Sequence, residues 1–353
     1  MLSSRFLNVA GNFFVFKARE LIKRKASELR LAKIKSSEKI IVGPWLGEVG
    51  FEVLYWIPFL HFLVHKNGFD PTKFVIISRG GVKSWYSAIG RIDYFDIFDV
   101  VSPNDFKKIN DRRLSMTGSL KQWILHQDEI SILEKALGRP VGSDLILHPR
   151  EMYSRFNPFW KNVQSSEMIV NQSTYKKFTP ARKEIIERLG LVSGNYVSAK
   201  FYFSNALTDC GDNIQGIIKL LIGIAKHRKV VLLQAGTKVD DHSDVMGELF
   251  RHPNIMVSDL EMKPADNLEI QSQIVGNSSM FIGTYGGFSY LAPFYGVKSI
   301  ACFSERTFQP AHNDVMLRAL LSLQKDSNCG GPEFICASLS GILEIVDGLS
   351  ALA

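Results

Sequence analysis

A chain of 353 residues is longer than one ordinary hydrophobic core requires, which predicts two domains. Its hydrophobic share of 46% and charged share of 22% are typical of a soluble globular protein and exclude a disordered or fibrous chain. The net charge of +7 is carried by residues 1–39, which hold ten lysines and arginines against three acidic residues. The rest of the chain is therefore neutral, which argues against a nucleic-acid channel.

Residues 1–39 are predicted to form a basic amphipathic arm of one or two helices. An apolar, aromatic run from Phe6 to Phe16 precedes a cluster of lysines and arginines. The run is shorter than the roughly 20 residues of a membrane span, and the order of charge and apolar residues is not that of a signal peptide. Aromatic residues beside basic ones are typical of a helix lying on an anionic membrane surface. A solvated basic helix, or one packed on a partner, is the alternative.

Residues 40–180 are predicted to form a first Rossmann-like domain. The strand Lys39–Gly43 leads through a glycine-rich loop into an apolar helix, Phe51–Lys66, and a second strand follows at Lys73–Ser78. A third β/α unit is predicted to include Tyr94–Val101, and a helix is predicted at Trp123–Leu137. Strand, glycine loop, helix and strand in this order indicate a doubly wound sheet.

The segment 144–180 interrupts this alternation. Aromatic residues, prolines and cations are concentrated between Leu145 and Trp160, with His148, Arg150 and Arg155 among them. This composition indicates an inter-domain or substrate-facing segment, with the two arginines as binding candidates for an acceptor or a phosphate. An aromatic satellite core with surface arginines is the alternative.

Residues 181–337 are predicted to form a second Rossmann-like domain, closed by a helix in residues 338–353. Its expected strands are Tyr196–Phe203, Val230–Gly236, Ile255–Ser258, Met280–Gly283 and Val297–Ser304. Its expected helices are Arg182–Leu189, Ile214–His227, Asn267–Val275, Asp314–Leu323 and Ile342–Leu349. The alternation of the two predicts an α/β fold with a parallel sheet.

The strongest motif of the chain is Thr284–Gly296, which lies between two apolar strands. Gly286 and Gly287 permit positive φ and close backbone approach, and two to three turns of helix follow them. The first amides of such a helix lack intrahelical partners and lie at the positive end of its dipole. At the carboxyl end of a strand they are typical of an anion site. The alternative is a turn that only lets the helix pack on the strand. The binding candidates are Thr284, Tyr285, Gly286, Gly287, Phe288 and Ser289.

The run Gly283–Phe303 resembles the donor loop of heptosyltransferases, in which a glycine-rich turn precedes His-Leu-Ala, small residues, Gly-Val and an apolar strand. Tyr290 stands here in the place of that histidine. The segments Trp45–Pro58 and His148–Trp160 resemble those of glycosyltransferases that make bacterial surface polysaccharides. The resemblance implies a GT-B architecture, in which two Rossmann-like domains face a cleft and the glycine turn binds the phosphates of a nucleotide sugar.

The resemblance also implies a carboxylate-assisted, metal-independent reaction. A sugar would pass from a nucleotide-sugar donor to a lipid-linked or surface glycan, in the cytoplasm at the inner face of the cytoplasmic membrane. Four cysteines without a CxxC pair or zinc spacing agree with a reducing compartment. No cofactor and no metal site are predicted. A sugar-nucleotide epimerase of the same fold and a non-catalytic glycan- or nucleotide-binding subunit are the alternatives.

Two carboxylates are candidate catalytic groups. Heptosyltransferases carry a Gly-Asp pair before a proline in their first loop and helix. In this chain both Gly47-Glu48 and Phe51-Glu52 precede Pro58. Glu48 is the preferred base because its loop is predicted to face the cleft, and the alternative is an acid stabilised by the helix dipole. Glu52 lies four residues later on the same helix face, as a partner carboxylate or a capping acid.

Several polar residues at predicted strand ends are further candidates. Lys200 interrupts an apolar strand, where an unpaired charge is costly, so it is predicted to reach the diphosphate of the donor. A solvent-facing place on an edge strand is the alternative. Gln234 and Gly236 are candidates for contact with the base or ribose, Arg79 for the acceptor or a phosphate, and His312 for the cleft.

Overall fold

The two domains predicted from the sequence correspond to two separate parallel sheets, which confirms the α/β fold class. The computed structural model describes residues 22, 25–142, 145–179, 181–234, 243–245, 252–258, 262–304, 310–325 and 331–351. We call the part around the first sheet the N-lobe and the part around the second sheet the C-lobe.

The N-lobe sheet has the order β3-β2-β1-β4. Its strands are β1 (Ile40–Val42), β2 (Phe74–Ser78), β3 (Asp93–Asp96) and β4 (Ile146–Leu147). Helix α1 covers residues 25–35, and helix α2 runs through Val49–Phe51, a π-helical turn at Glu52–Trp56, and Ile57–Asn67. The other helices are α3 (Lys83–Tyr86), α4 (Pro103–Thr117), α5 (Gln127–Leu137), α6 (Arg150–Trp160) and α7 (Glu167–Val170).

The C-lobe sheet has the order β12-β11-β10-β5-β7-β9. Its strands are β5 (Tyr196–Lys200), β7 (Lys229–Leu232), β9 (Ile255–Val257), β10 (Met280–Thr284), β11 (Lys298–Phe303) and β12 (Phe334–Ser338). A small antiparallel pair consists of β6 (Tyr202–Phe203) and β8 (Ser243–Asp244). The helices are α8 (Glu184–Arg188), α9 (Gly211–Ala225), α10 (Asn267–Gly276), α11 (Phe288–Phe294), α12 (Pro310–Lys325) and α13 (Leu339–Ala351).

Buried apolar strands lie at the centre of both sheets. In the N-lobe, Ile41 of β1 pairs with Val75 on one side and Ile146 on the other. In the C-lobe, Ile282 of β10 lies between Ala199 and Ile300. Because β1 and β10 are interior strands, the segments that follow their carboxyl ends are held on both sides.

Helix α4 and strand β12 are among the elements that were absent from the sequence-based assignment. Helix α4 is largely polar and buries Phe106, Asn110 and Arg113, so it carries almost no apolar periodicity. Its start signal was nevertheless present, because the Ser102 hydroxyl accepts a hydrogen bond from the Asp105 amide and Pro103 occupies the first helical position. Strand β12 lies at the edge of the C-lobe sheet, after a stretch rich in glycine.

The described part of the basic arm packs on the N-lobe. Leu31 and Ile34 of α1 are buried in the core, and Ser27 and Arg30 both bond the buried carboxylate of Glu151. The aromatic run from Phe6 to Phe16 lies outside the described residues. Within the described residues, no helix is long and apolar enough to cross a membrane.

The two lobes share one hydrophobic core. The connecting segment joins them through its backbone, since the Thr174 amide bonds the Pro58 carbonyl at 2.9 Å and the Phe178 amide bonds the Phe294 carbonyl at 2.9 Å. The buried indole of Trp85 donates to Ser272 across the same boundary at 3.0 Å. The lobes are therefore firmly associated in this conformation.

Candidate active site between the two lobes

The starts of helices α2 and α11 meet at the boundary between the lobes. A Cβ atom added to Gly50 would lie 2.9 Å from the Gly287 nitrogen and 3.3 Å from the Tyr290 ring. Each helix start follows the carboxyl end of a parallel strand, so these edges of the two sheets face each other here. Ligands bind at such edges in open α/β sheets.

The glycine turn adopts the backbone that the sequence predicted. Gly286 has a φ of 104° and Gly287 a φ of 43°. The Gly286 amide donates to the Ser289 hydroxyl at 3.0 Å, and that hydroxyl donates back to the Gly286 carbonyl at 2.8 Å. Among the described residues, the Gly287 and Phe288 amides have no acceptor. The turn therefore has two amides without a partner in the described part of the chain, whereas the third is bonded to Ser289.

Lys200 and Tyr202 flank the turn from the C-lobe side. The Lys200 ammonium lies 3.3 Å from the Asp244 carboxylate and 5.5 Å from the centroid of the Phe288 ring. Strand β5, which carries Lys200, is interior to its sheet, and Lys200 is buried. A Cβ atom at Gly287 would lie 3.0 Å from the Tyr202 hydroxyl. Tyr202 was not a sequence candidate, because in a strand an aromatic residue is ordinarily a packing residue.

The side chains of three other candidates, Thr284, Tyr285 and Gln234, contact neighbouring parts of the C-lobe. The Thr284 hydroxyl bonds both the amide and the carbonyl of Tyr202, which ties β10 to β6. The rings of Tyr285 and Tyr290 pack edge to face with centroids 5.4 Å apart. Gln234 donates through Nε2 to the Val245 carbonyl at 3.3 Å, whereas Gly236 lies outside the described residues.

The three candidate arginines lie in different surroundings. Arg79 is buried and its guanidinium donates to the Gly47 carbonyl, so it supports the loop that carries Glu48. Arg150 lies 3.4 Å from the Glu151 carboxylate on α6. Arg155 lies 3.4 Å from the Gln172 side-chain oxygen and lines a separate cavity of about 680 Å³ together with Glu28 and Phe62. The described contacts bring neither Arg150 nor Arg155 to the glycine turn.

Glu52 is a fully buried carboxyl group in the π-helical turn of α2. One of its oxygens accepts hydrogen bonds from Ser78 at 2.6 Å and from Tyr86. Its other oxygen has no hydrogen-bond partner among the described residues. Burial raises the pKa of Glu52 to about 7, against the opposing effect of the Arg79 guanidinium. Such a carboxyl group exchanges a proton near neutral pH, a property concentrated at functional sites.

We expect Glu52→Gln to remove part of the pH dependence of stability. The unfolded carboxyl loses its proton near pH 4.5 and the folded one only near pH 7, so the native state binds more protons and stability falls as pH rises between these values. The free energy of unfolding of the wild type therefore falls by about 3 kcal/mol over this range, and the variant should not show this fall. Urea unfolding at pH 5 and pH 8 measures it. Parallel pH profiles of stability for the variant and the wild type would contradict the raised pKa. The control is Glu184→Gln, which replaces an exposed acid of α8 and should leave the pH profile of the wild type unchanged.

Glu48 lies at the N-cap of α2, directly before Val49. Its side chain is half-buried and makes no capping hydrogen bond with the helix amides. Its charge acts on Lys121, where burial lowers the lysine pKa and the Glu48 carboxylate opposes that shift. The two carboxylates of α2 therefore differ, because Glu48 is partly accessible while Glu52 is enclosed.

Residues far along the chain hold the loop that carries Glu48. Gln122 donates to the Pro44 carbonyl at 2.8 Å and accepts from the Leu46 amide at 2.9 Å. Gln122 also donates to the buried Glu129 carboxylate at 2.7 Å. No periodic pattern marks Gln122, since it lies in an irregular segment, and sequence reasoning missed it for that reason.

His312 of α12 reaches the N-lobe. Its Nδ1 lies 2.5 Å from the hydroxyl of Tyr55, which belongs to the π-helical turn of α2. Burial and then Lys121 lower the pKa of His312 to about 4, so the imidazole is neutral at physiological pH. Within the described residues, no cluster of three or more histidine, cysteine or acidic side chains is arranged to hold a metal ion.

No protein-family model and no curated protein matches this chain. Among solved structures, it is similar to a glycosyl transferase family 9 protein from Veillonella parvula, with 12% identity, coverage of 90% of this chain and 91% of the other, and a TM-score of 0.45. It is also similar to the ADP-heptose lipopolysaccharide heptosyltransferase II of Escherichia coli, with 10% identity, coverage of 89% and 100%, and a TM-score of 0.40. A putative UDP-N-acetylglucosamine 2-epimerase from Listeria monocytogenes shows 13% identity, coverage of 89% of both chains, and a TM-score of 0.40. Likenesses of this strength carry no weight for the function, and the fold is established by the two sheets of this chain.

Proposed function

We propose that the protein is a glycosyltransferase that moves a sugar from a nucleotide-sugar donor to a glycan acceptor. One observation carries the proposal: a glycine turn, two of whose amides have no acceptor in the described part of the chain, abuts the helix start that bears Glu48 and Glu52. Sugar transfer needs an anion site for the leaving group next to a carboxylate that can take a proton from the acceptor, and this juxtaposition supports the proposal of both.

The glycine turn is proposed as the site of the donor diphosphate. As the bond to the sugar breaks, negative charge develops on the leaving phosphate. The Gly287 and Phe288 amides can donate to its oxygens, and the Lys200 ammonium beside the Phe288 ring can offset its charge. The Tyr202 hydroxyl adds a further donor next to both glycines. All four groups lie on or beside the turn.

Glu48 is proposed as the general base. It is the more accessible of the two carboxylates and lies two residues before Gly50, which contacts the turn. A carboxylate in this position can remove the proton from an acceptor hydroxyl as the hydroxyl oxygen attacks the sugar. Glu52 is proposed as its positioning partner, because its bonds to Ser78 and Tyr86 fix the π-helical turn of α2 against the end of β2.

The acceptor is proposed to be a lipid-linked or surface glycan, presented at the inner face of the cytoplasmic membrane. The support is the charge of residues 1–39, ten basic residues against three acidic ones. Cosedimentation with vesicles of phosphatidylglycerol and phosphatidylcholine tests the contact. The full chain should bind in a salt-sensitive manner. A chain beginning at residue 22 lacks the aromatic run and three of the ten basic residues, so it should bind more weakly, whereas equal binding by both would contradict the contact.

We expect a nucleoside diphosphate and its sugar conjugate to stabilise the protein against heat. A ligand present at a hundredfold excess over its Kd adds about 2.7 kcal/mol, because it binds the folded state alone. A thermal-shift screen of UDP, ADP, GDP and dTDP with their sugars identifies the base. The proposal fails if none of them raises the Tm, or if the bound nucleotide sugar is only converted to an epimer and never transferred.

A further inference from the structure

Four side chains form a partly open aromatic patch at the start of α2. Phe51, Trp123, Trp160 and Lys121 are all half-buried, and we call them the rim cluster. The Phe51 and Trp160 rings lie 5.8 Å apart, and the Trp123 and Trp160 rings lie 6.0 Å apart and nearly perpendicular. The aromatic rings beneath them are fully buried: Trp45, Tyr55, Tyr153 and Phe156.

The lysine of the rim cluster occupies an unusual place. Its ammonium lies 5.0 Å from the centroid of Phe51 and 4.9 Å from that of Trp160, between the two rings. Partial burial of an ammonium group carries a desolvation cost, which the two π faces and the Glu48 carboxylate offset. The lysine therefore places a positive charge and a hydrogen-bond donor at an aromatic surface.

The rim cluster adjoins the groups proposed for catalysis. Phe51 follows Gly50, which touches the glycine turn, and lies three residues after Glu48. The His312 ring of the C-lobe packs edge-on against Phe51 with centroids 5.4 Å apart. A molecule resting on the rim cluster would therefore lie within reach of the Glu48 carboxylate and on the N-lobe side of the glycine turn.

We propose that the rim cluster is the acceptor subsite and binds a pyranose ring, an inference that rests on the proposed function. A pyranose has an apolar face of C–H groups that stacks on aromatic rings and a periphery of hydroxyls. Glu48 can accept from one hydroxyl and Lys121 can donate to another, so the cluster offers both kinds of contact beside its rings. Convergent polar groups in an aromatic-lined recess are the usual composition of a small-molecule site.

The tryptophans of the chain provide a selective signal for this subsite. Of the five, Trp45, Trp56 and Trp85 are at most 1% exposed, whereas Trp123 and Trp160 are half-buried. Acrylamide quenching of tryptophan fluorescence therefore reports on the rim cluster. Glucose, N-acetylglucosamine and glucuronate are the probes, and at least one should reduce the quenching in a saturable manner.

Trp123→Ala is expected to weaken binding of that sugar about tenfold, because it removes one stacking face. Trp123→Phe keeps an aromatic face and should restore most of the affinity. Its binding is measured by saturation-transfer NMR, because this variant lacks the indole of residue 123. The control is Ile124→Ala, which changes an exposed neighbour that is 52% accessible and should leave affinity unchanged. The inference is overturned if no probe protects the wild type, or if Trp123→Ala binds the sugar as tightly as the wild type.

A parallel measurement separates this inference from the proposed function. The thermal shift caused by the nucleotide sugar should be the same in Trp123→Ala and in the wild type, because the glycine turn is untouched. An unaltered nucleotide shift with unaltered sugar binding would overturn the acceptor subsite and leave the transferase proposal in place. Sugar binding that depends on Trp123, without any nucleotide shift, would instead support a pyranose site at the rim cluster but contradict its role as an acceptor subsite together with the transferase proposal.

Discussion

Glu48→Gln is expected to lower the rate of sugar transfer by about 10²–10⁴-fold, the usual contribution of a positioned general base. Glutamine keeps the size of the side chain but cannot accept the proton of the acceptor hydroxyl. The start of α2 should be unaffected, because the Glu48 side chain makes no capping hydrogen bond with it. Steady-state kinetics with the donor found in the nucleotide screen measures the effect, which should fall on kcat and leave the KM for the donor unchanged.

A matched control for this variant is Glu184→Gln, at the first residue of α8. Glu184 is an exposed acid in the first turn of its helix, so its replacement changes the net charge equally and should leave transfer at the rate of the wild type. If Glu48→Gln retains full activity while still binding the donor, the base is a different group, and the buried carboxyl of Glu52 becomes the next to test.

Gly287→Ala is expected to weaken donor binding by about 10–100-fold. Gly287 has φ 43° and ψ −114°, a region that residues with a Cβ atom avoid, and straining it costs on the order of 1–3 kcal/mol. The new methyl group would also lie 3.0 Å from the Tyr202 hydroxyl. Relief of both conflicts is expected to turn the Gly287 and Phe288 amides away from the proposed phosphate site. Calorimetric titration with the nucleoside diphosphate measures the loss.

Gly138→Ala separates the effect on the site from the effect on the backbone. Gly138 ends α5 with a φ of 65°, and a Cβ atom there would meet nothing within 4 Å. Gly138→Ala should therefore lower the stability by about 1 kcal/mol, because alanine disfavours this positive φ, and it should leave the affinity for nucleotide unchanged. Donor binding by Gly287→Ala that equals the wild type would show that the turn does not hold the phosphates.

Much of this fold was predictable because its strands are short, apolar runs bounded by glycine. Strands β1, β2, β10 and β11 fall where the runs of isoleucine, valine and phenylalanine predicted them. The positive φ values at Gly286 and Gly287 also followed from the sequence, since a strand that turns directly into a helix needs such a backbone.

The surroundings of the two carboxylates were not predictable in the same way. Regular helical spacing places Glu48 and Glu52 on one face, but the π-helical turn that begins at Glu52 has hydrogen bonds one residue longer, and single residues do not specify it. Glu52 is enclosed by Ser78 and Tyr86, which come from a later strand and helix. The pKa of its carboxyl depends on these distant contacts and could not be read from neighbouring residues.

The rim cluster illustrates a second limit. Phe51, Lys121 and Trp160 are separated by long stretches of sequence, and each alone is an ordinary packing or surface residue. Their proximity arises because the loop before α5 and the end of α6 both pack against the start of α2. Long-range contacts of this kind bring the side chains together only in the folded chain.

Hydrogen–deuterium exchange across Thr284–Gly296, with and without the nucleotide sugar, tests the role of the glycine turn most directly. Protection on ligand binding should be concentrated at the Gly287 and Phe288 amides, which have no acceptor among the described residues. The Gly286 amide, already bonded to Ser289, should change little. A nucleotide sugar that stabilises the protein without slowing exchange at Gly287 and Phe288 would show that it binds elsewhere.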